Sequence, residues 1–237
     1  MVKGGQRRQT IIDTAERLFY KKGYEQTSVQ DIIDALNYSK GGFYHHFDSK
    51  LALLCAICES RAARTREAVE EAVANAGGDP VDQLNAFFES GALFREDNLD
   101  YLSLLLRVAY RDDASLMREK IKEYSLNATL PTLDKIILAG SRERVFLAPH
   151  QDLLGELILR LVAQLTDDLA FRINAVPPPA EDDLLPLMLD KLELYRHAVE
   201  RVLEAPFGSV VLMSAQKLAA TVRIVYHPVN RPVLGRV

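Results

Sequence analysis

The first fifty residues contain three short amphipathic segments in close succession. From Thr10 to Lys22 apolar residues recur at helical spacing, and Gly23 stands where a left-handed residue commonly ends a helix. A second helix is predicted from about Ser28 to Leu36, because its apolar positions follow the i, i+3, i+4, i+7 pattern. Ser39 can cap a third helix, Lys40 to Phe47. Two short helices separated by about three residues are typical of a helix-turn-helix.

The rest of the chain continues with helical periodicity. A long helix is predicted from Leu51 to about Ala74, and the Gly- and Pro-containing stretch 75–80 ends it. Further helices are expected at 81–95, 99–110, 113–139 with a bend at Pro131, 150–174 and 181–204. Since no stretch up to residue 205 alternates like a β-strand, the sequence predicts an all-α protein.

The predicted architecture has three parts. Residues 1–50 form a three-helix, helix-turn-helix domain, and residues 51–205 form a larger helical bundle. The tail, 206–237, mixes β-prone and helical segments, so its structure stays open at this stage.

Charge and composition narrow the class of protein. The formal net charge is -4, but residues 1–50 carry eight Lys or Arg against six Asp or Glu, which gives a mildly basic head on an acidic body. No run approaches the eighteen apolar residues of a membrane helix, and the N-terminus lacks a signal-peptide core. We therefore expect a cytoplasmic protein with no membrane partner. Two cysteines are too few for a disulfide framework.

The segment Ser39 to Phe47 concentrates groups that can contact duplex DNA. Phe43 and Phe47 stand four residues apart and are predicted to face inward. On the outer face, Lys40 can reach a base edge or a phosphate, and Tyr44 and His46 can donate to phosphate oxygens. The candidate DNA-binding residues in and around this segment are Thr27, Ser28, Gln30, Ser39, Lys40, Gly41, Gly42, Tyr44, His45, His46 and Lys50.

The order of these residues resembles the N-terminal domain of the TetR family of transcriptional regulators. The resemblance covers about residues 9–57 and is carried by Ala15, Leu18-Phe19, Gly23-Tyr24, Thr27 to Ile32, Ser39 to Gly41 and Phe43 to Lys50. It implies that Lys40, Gly41, Tyr44 and His46 face the DNA groove. Thr27, Ser28, Gln30 and Lys50 would support them on the flanking backbone.

Two positions depart from the family pattern. Asn37 stands where the family most often has glycine, which is tolerable because Asn accepts a positive φ. Gly42 stands where the family usually has alanine or a small hydroxylated residue that contacts phosphate. One phosphate contact is therefore expected to be missing.

For the body, the resemblance implies an effector pocket and a homodimer interface. A two-fold dimer also has independent physical support, because one recognition helix reads few base pairs. The interface is expected on the last two long helices, and their apolar faces include Leu157, Leu161, Leu165, Leu192, Tyr195 and Val199, which could equally pack within their own subunit. Candidate effector-binding residues are the polar and aromatic ones within apolar helices: Tyr101, Arg107, Tyr110, Tyr124, Asn127 and Gln164.

These features together predict a ligand-responsive repressor that binds double-stranded DNA and needs no cofactor, metal or catalytic residue. No phosphate loop, nucleophile elbow or HExxH pair supports an enzyme. A second hypothesis is a thiol- or metal-responsive sensor, because Cys55 and Cys58 form a CxxC pair. A third is a helical interaction module that retains a DNA-binding head, and salt-dependent DNA binding would discriminate it.

Overall fold

The computed structural model describes residues 2–90, 106 and 108–226, and its regular elements there are all helical. A 3-10 turn, Asp112–Ala114, precedes the sixth helix. The α-helices are α1 Val2–Lys22, α2 Val29–Leu36, α3 Lys40–Tyr44, α4 Lys50–Asn75, α5 Pro80–Glu89, α6 Ser115–Arg142, α7 Gln151–Ile173, α8 Glu181–Leu203 and α9 Ala215–Tyr226. The predicted all-α class is confirmed.

The head, which we define as α1 to α3 with the first three turns of α4, packs around an apolar core that Val108, Ala109 and Met117 of the body also enter. Ser28 caps α2 in a reciprocal box with Asp31, which satisfies two backbone donors that the helix start would leave free. Asn37 ends α2 in the left-handed conformation, with φ 53°. The largest fully buried side chains of this core are Ile11, Phe19, Ile32, Phe43, Leu53 and Leu54.

A second apolar core holds the body, which comprises the rest of α4 and the helices that follow. The core begins on α4 at Val69 and is filled by side chains of α5 to α9. The long helix α4 therefore contributes to both cores, since Leu53 to Cys58 belong to the head core. A movement of α4 would therefore displace side chains in both cores.

The structure differs from the predicted boundaries at several points. Helix α1 begins at Val2 instead of near Thr10, and α3 ends at Tyr44, where His45 forms the C-cap. Pro131 lies inside a helix that runs uninterrupted to Arg142. The tail forms α9, which packs on α8. The predicted segment 99–110 falls largely outside the described residues. None of the described helices is long and apolar enough to cross a membrane.

Candidate nucleic-acid interface and internal cavity

Helix α3 presents a polar outer side because its two phenylalanines are buried in the head core. Phe43 and Phe47 are almost completely buried, with ring centroids 6.1 Å apart. Ser39 starts the helix, and its hydroxyl accepts from the Gly42 amide at 3.1 Å. The side chains left on the outside are Lys40, Tyr44 and His45, with His46 half-buried beside them. The predicted orientation of α3 in the head thus agrees with the structure.

Two residues expected at the DNA backbone have other partners. Thr27 is fully buried, and its hydroxyl donates to the Gly23 carbonyl at 2.7 Å, so it cannot reach a phosphate. The Lys50 ammonium donates to the Tyr24 carbonyl at 2.9 Å and lies 4.3 Å from the centre of the Tyr24 ring. Both side chains hold the loop between α1 and α2 in place instead of pointing to solvent.

The other supporting residues are exposed but already hydrogen-bonded. The Ser28 hydroxyl donates to Asp31 at 2.6 Å, and the Gln30 amide donates to Asp34 at 2.6 Å. The hydrogen bond from Lys22, together with those from Ser28, lowers the pKa of Asp31 well below its ordinary value. The start of α2 is therefore a rigid, charged edge beside α3.

An arginine pair on α1 adds positive charge that the sequence reasoning did not include. Arg7 and Arg8 are both exposed, and the Arg8 guanidinium lies 5.1 Å from the centre of the Phe47 ring. This cation–π contact holds Arg8 next to the segment that follows α3. The available signal was the Arg-Arg doublet itself, which precedes the first predicted helix and so was not placed on any element.

A cavity of about 1140 Å³ lies between the head and the body. Helices α1, α4, α5, α6 and α7 supply its walls, together with Leu212 and Met213. Most lining side chains are apolar, as is usual for a small-molecule site, and ten are charged, five basic and five acidic. Asp167 is one of these, and it pairs with Lys122 at 2.7 Å and accepts from the Tyr110 hydroxyl. Burial, followed by the hydrogen bond to Asp167, raises the pKa of Tyr110.

The cavity gathers three of the six predicted effector residues, namely Tyr110, Asn127 and Gln164. Tyr124 instead packs on the head core, and its hydrogen bond with Cys55 is the largest cause of its raised pKa. Tyr101 and Arg107 lie outside the described residues. The prediction considered polar and aromatic residues in apolar helices, and therefore missed ten charged lining residues. These are Glu16, Arg61, Arg64, Arg118, Glu119, Lys122, Glu123, Glu156, Arg160 and Asp167.

Helices α7 and α8 expose large apolar side chains. Leu153, Leu157 and Phe171 lie along one side of α7, and they are 66%, 51% and 78% exposed. Leu194 on α8 is 63% exposed. Of the predicted interface residues, Leu157 is exposed and Leu161 and Tyr195 are half-buried. Leu165, Leu192 and Val199 are buried in the body's own core, so they cannot contact a partner.

The two cysteines of the CxxC pair differ in burial, since Cys55 is half-buried and Cys58 is buried. Cys58 is buried, and burial raises the pKa of its thiol to about 12, so the thiol stays protonated and unreactive near neutral pH. Within the described ranges, no three His, Cys, Asp or Glu side chains cluster in a way that could hold a metal ion. These observations give no support to a thiol or metal sensor.

The comparisons with known proteins also place a helix-turn-helix at the start of the chain. The family model of the TetR bacterial regulatory proteins matches residues 11–57. The uncharacterized HTH-type transcriptional regulator YerO of Bacillus subtilis is 34% identical over 136 residues, which are 55% of this chain and 44% of YerO. The chain therefore spans less than half the length of this curated relative.

Two solved structures share the fold over most of the chain. The fatty acid degradation regulator FadR of Bacillus halodurans has a TM-score of 0.56 and 21% identity, covering 81% of this chain and 94% of that one. FadR of Bacillus subtilis, in complex with stearoyl-CoA, has a TM-score of 0.55 and 22% identity, covering 79% and 96%. At these identities the similarity shows the fold alone. Residues 11–57 thus match the helix-turn-helix of the TetR family of bacterial regulatory proteins, and the chain shares the helical fold of both solved regulators.

Proposed function

We propose that this chain is a cytoplasmic transcriptional repressor that binds operator DNA as a homodimer and leaves it when a small molecule binds. The observation that carries the proposal is the outer side of α3, where Lys40, Tyr44 and His45 are exposed and His46 is half-buried. Phe43 and Phe47 fix the helix in the head. Regulation, and not catalysis, is the role of the TetR family, whose model matches residues 11–57.

In the proposed complex α3 enters the major groove and α2 crosses the backbone beside it. Lys40 contacts a base edge or a phosphate, and Tyr44 and His46 donate to phosphate oxygens. Arg7 and Arg8 add phosphate contacts from α1, since both are exposed and Arg8 lies against Phe47. Ser28 and Gln30 remain at the edge, and Thr27 and Lys50 act indirectly by fixing the loop behind α2.

The proposed dimer forms through the α7–α8 face, which we define by the exposed residues Leu153, Leu157, Phe171 and Leu194. Large apolar side chains that are exposed favour association with a partner that covers them. The ion pair of Asp168 with Lys191, at 2.6 Å, joins α7 to α8. A two-fold arrangement would place two heads on two half-sites of the operator.

The proposed effector site is the cavity between head and body. Its walls include α4, which also belongs to the head core, so a ligand there can act on the position of α3. A ligand releases DNA only if it binds more tightly to a conformation in which the distance between the two heads does not match the distance between the operator half-sites. This makes α4 the connecting element between ligand and operator.

The test is a selection of bound duplexes from a random pool, followed by titrations of the best duplex at several salt concentrations. We expect the logarithm of the binding constant to fall linearly with the logarithm of salt concentration, by about 0.9 per phosphate contacted. Replacing Lys40, Tyr44 and His46 together by alanine should abolish specific binding. The matched control is Lys21→Ala, since Lys21 is exposed on α1 outside this surface. Unchanged affinity in the triple variant would refute the proposal.

A further inference from the structure

One ion pair connects the cavity directly to the DNA-binding head. The Arg61 Nε atom on α4 lies 2.7 Å from the Glu16 Oε1 atom on α1, and both residues line the cavity. Glu16 is only 7% exposed, although it is a charged residue. A buried carboxylate needs a partner of opposite charge, because transfer out of water strongly disfavours the ionised form. The pair thus joins α1 to α4 at the edge of the cavity.

Arg61, which pairs with Glu16, lies on α4 between the part in the head core and the part in the body core. The last α4 residue of the head core is Cys58, and the body core begins at Val69. Arg61 lies between these two points, one turn beyond Cys58. A group that binds Arg61 from the cavity therefore acts where the head core ends, and its effect on Glu16 is transmitted to α1.

The charges on the cavity wall favour one kind of ligand. Arg61 and Arg64 are three residues apart on α4, so they lie on the same side of the helix, and they are the charged residues that α4 contributes to the lining. Glu16 pairs with Arg61, whereas Arg64 forms no ion pair with any residue that the structure describes. The α4 wall thus carries more positive charge than Glu16 balances.

The whole lining holds five basic and five acidic residues, so the excess of positive charge is confined to the α4 wall. Elsewhere, Glu156 pairs with Arg160 on α7, Glu123 pairs with Lys120 on α6, and Asp167 of α7 pairs with Lys122 of α6. Glu119 is exposed on α6. A cation placed beside Glu16 would be repelled by both Arg61 and Arg64. An anion at the same place would be attracted by both guanidinium groups.

We infer that the effector is an amphipathic organic anion, whose charged group binds Arg61 and Arg64 and displaces Glu16 while its apolar part fills the cavity. The inference rests on the proposed function and specifies its ligand and its coupling. Once displaced, Glu16 is a buried carboxylate without its partner, and α1 relieves that cost by moving away from α4. The head then shifts relative to the body, and operator affinity falls.

The first experiment compares two fluorescent probes with the same ring system. Anilinonaphthalene sulfonate carries an anionic group, whereas phenylnaphthylamine is uncharged. We expect the sulfonate to bind the full chain more tightly, and its affinity to fall roughly tenfold in Arg61→Met and in Arg64→Met, as expected for a lost charged hydrogen bond. Phenylnaphthylamine should bind all variants alike. The control is Arg66→Met, because Arg66 is exposed on the same helix but does not line the cavity.

The second experiment measures operator release with the selected duplex. The sulfonate should weaken the complex of the wild-type chain and of Arg66→Met, but not that of Arg61→Met at the same probe concentration. Glu16→Gln, which keeps the shape but removes the charge, should bind the duplex with an affinity that the sulfonate no longer changes. Arg64 is exposed, so Arg64→Met reports on the ligand even if replacing Arg61 disturbs folding.

The outcomes separate the two levels of the proposal. A chain that binds no duplex in the absence of a probe refutes the proposed function. A chain that binds its duplex but takes up both probes equally, or takes up the sulfonate equally in Arg64→Met and Arg66→Met, refutes the anionic ligand. Sulfonate that binds through the arginines without changing operator affinity refutes the coupling through Glu16.

Discussion

Lys50 has its hydrogen-bonding partners inside the head. Its ammonium donates to the carbonyl of Tyr24 at 2.9 Å and lies over the same residue's ring. Glu25 offers a second carbonyl at 3.4 Å. These bonds connect the start of α4 to the loop before α2, which carries the capping box. We therefore propose that Lys50 positions the head and that Lys40 contacts the nucleic acid.

The salt dependence of binding distinguishes these two roles. We predict that Lys50→Met lowers the free energy of unfolding by about 1–2 kcal/mol, because charged hydrogen bonds to carbonyls are lost. It should weaken operator binding without changing the slope against salt. Lys40→Met should reduce that slope by about 0.9, since one phosphate contact disappears, and should leave stability unchanged. A reduced slope in Lys50→Met would show that this ammonium leaves the carbonyls and reaches a phosphate.

Gly42 is the residue of α3 whose replacement we expect to improve function. A Cβ atom there would lie 3.3 Å from the Ser39 hydroxyl oxygen, so the cap has to shift by only a few tenths of an ångström. We predict that Gly42→Thr tightens operator binding by roughly threefold to tenfold, because it adds a hydroxyl that can donate to phosphate. Gly42→Ala is the control, since it increases helix propensity without adding the hydroxyl. Equal or weaker binding by the threonine variant in a gel-shift titration would contradict the prediction.

At the scale of elements, the turn between α2 and α3 sets the angle of the helix-turn-helix. Asn37 occupies the left-handed region, with φ 53° and ψ 42°, and its backbone amide donates to the Asp34 carbonyl. We predict that Asn37→Val lowers the free energy of unfolding by about 1–2 kcal/mol, because a β-branched residue is strained there. Asn37→Gly should be as stable as the wild type or more stable. Urea unfolding measures both, and equal stability of the valine variant would exclude strain at this turn.

Helices whose signals are local were predictable from the sequence, and those that depend on distant contacts were not. The Ser28 cap, the left-handed Asn37 and the inward Phe43 follow from neighbouring residues. Helix α1 begins at Val2 although it includes Gly4 and Gly5, whose low helix propensity argued for a later start.

The candidate sites show the same limit. Glu16 and Arg61 are forty-five residues apart in sequence, so helical periodicity on either side gives no sign that they meet. The roles of Thr27 and Lys50 likewise depend on carbonyls that only the folded chain brings to them. The spacing of Phe43 and Phe47 predicted which side of α3 faces outward, because one short segment forms that whole surface. The cavity is formed by five helices, and so its charged wall could not be derived from any one of them.

At the scale of the whole molecule, we propose that the exposed apolar side chains of α7 and α8 form the dimer interface. Sequence periodicity could not separate residues that face the subunit's own core from those that face a partner, since both belong to one wide apolar stripe. The structure buries Leu165, Leu192 and Val199 within the body and leaves the α7–α8 face exposed. In a two-fold dimer the same face of both subunits forms the interface. Each leucine of that face is therefore buried at two places, once in each subunit.

This doubling makes a single substitution on the face informative. We predict a dimer for the wild-type chain at micromolar concentration and a monomer for Leu157→Glu. Two charges would then be buried and two leucine side chains would be missing from the interface, a penalty on the order of 3 kcal/mol or more. Sedimentation velocity measures the change, and operator affinity should fall by at least the corresponding hundredfold. The control is Leu116→Glu, which places the same charge on an exposed leucine of α6 outside the face. If Leu157→Glu remains dimeric while Leu116→Glu dissociates, the subunits associate through another surface, and the half-site spacing of the operator has to be derived from that surface instead.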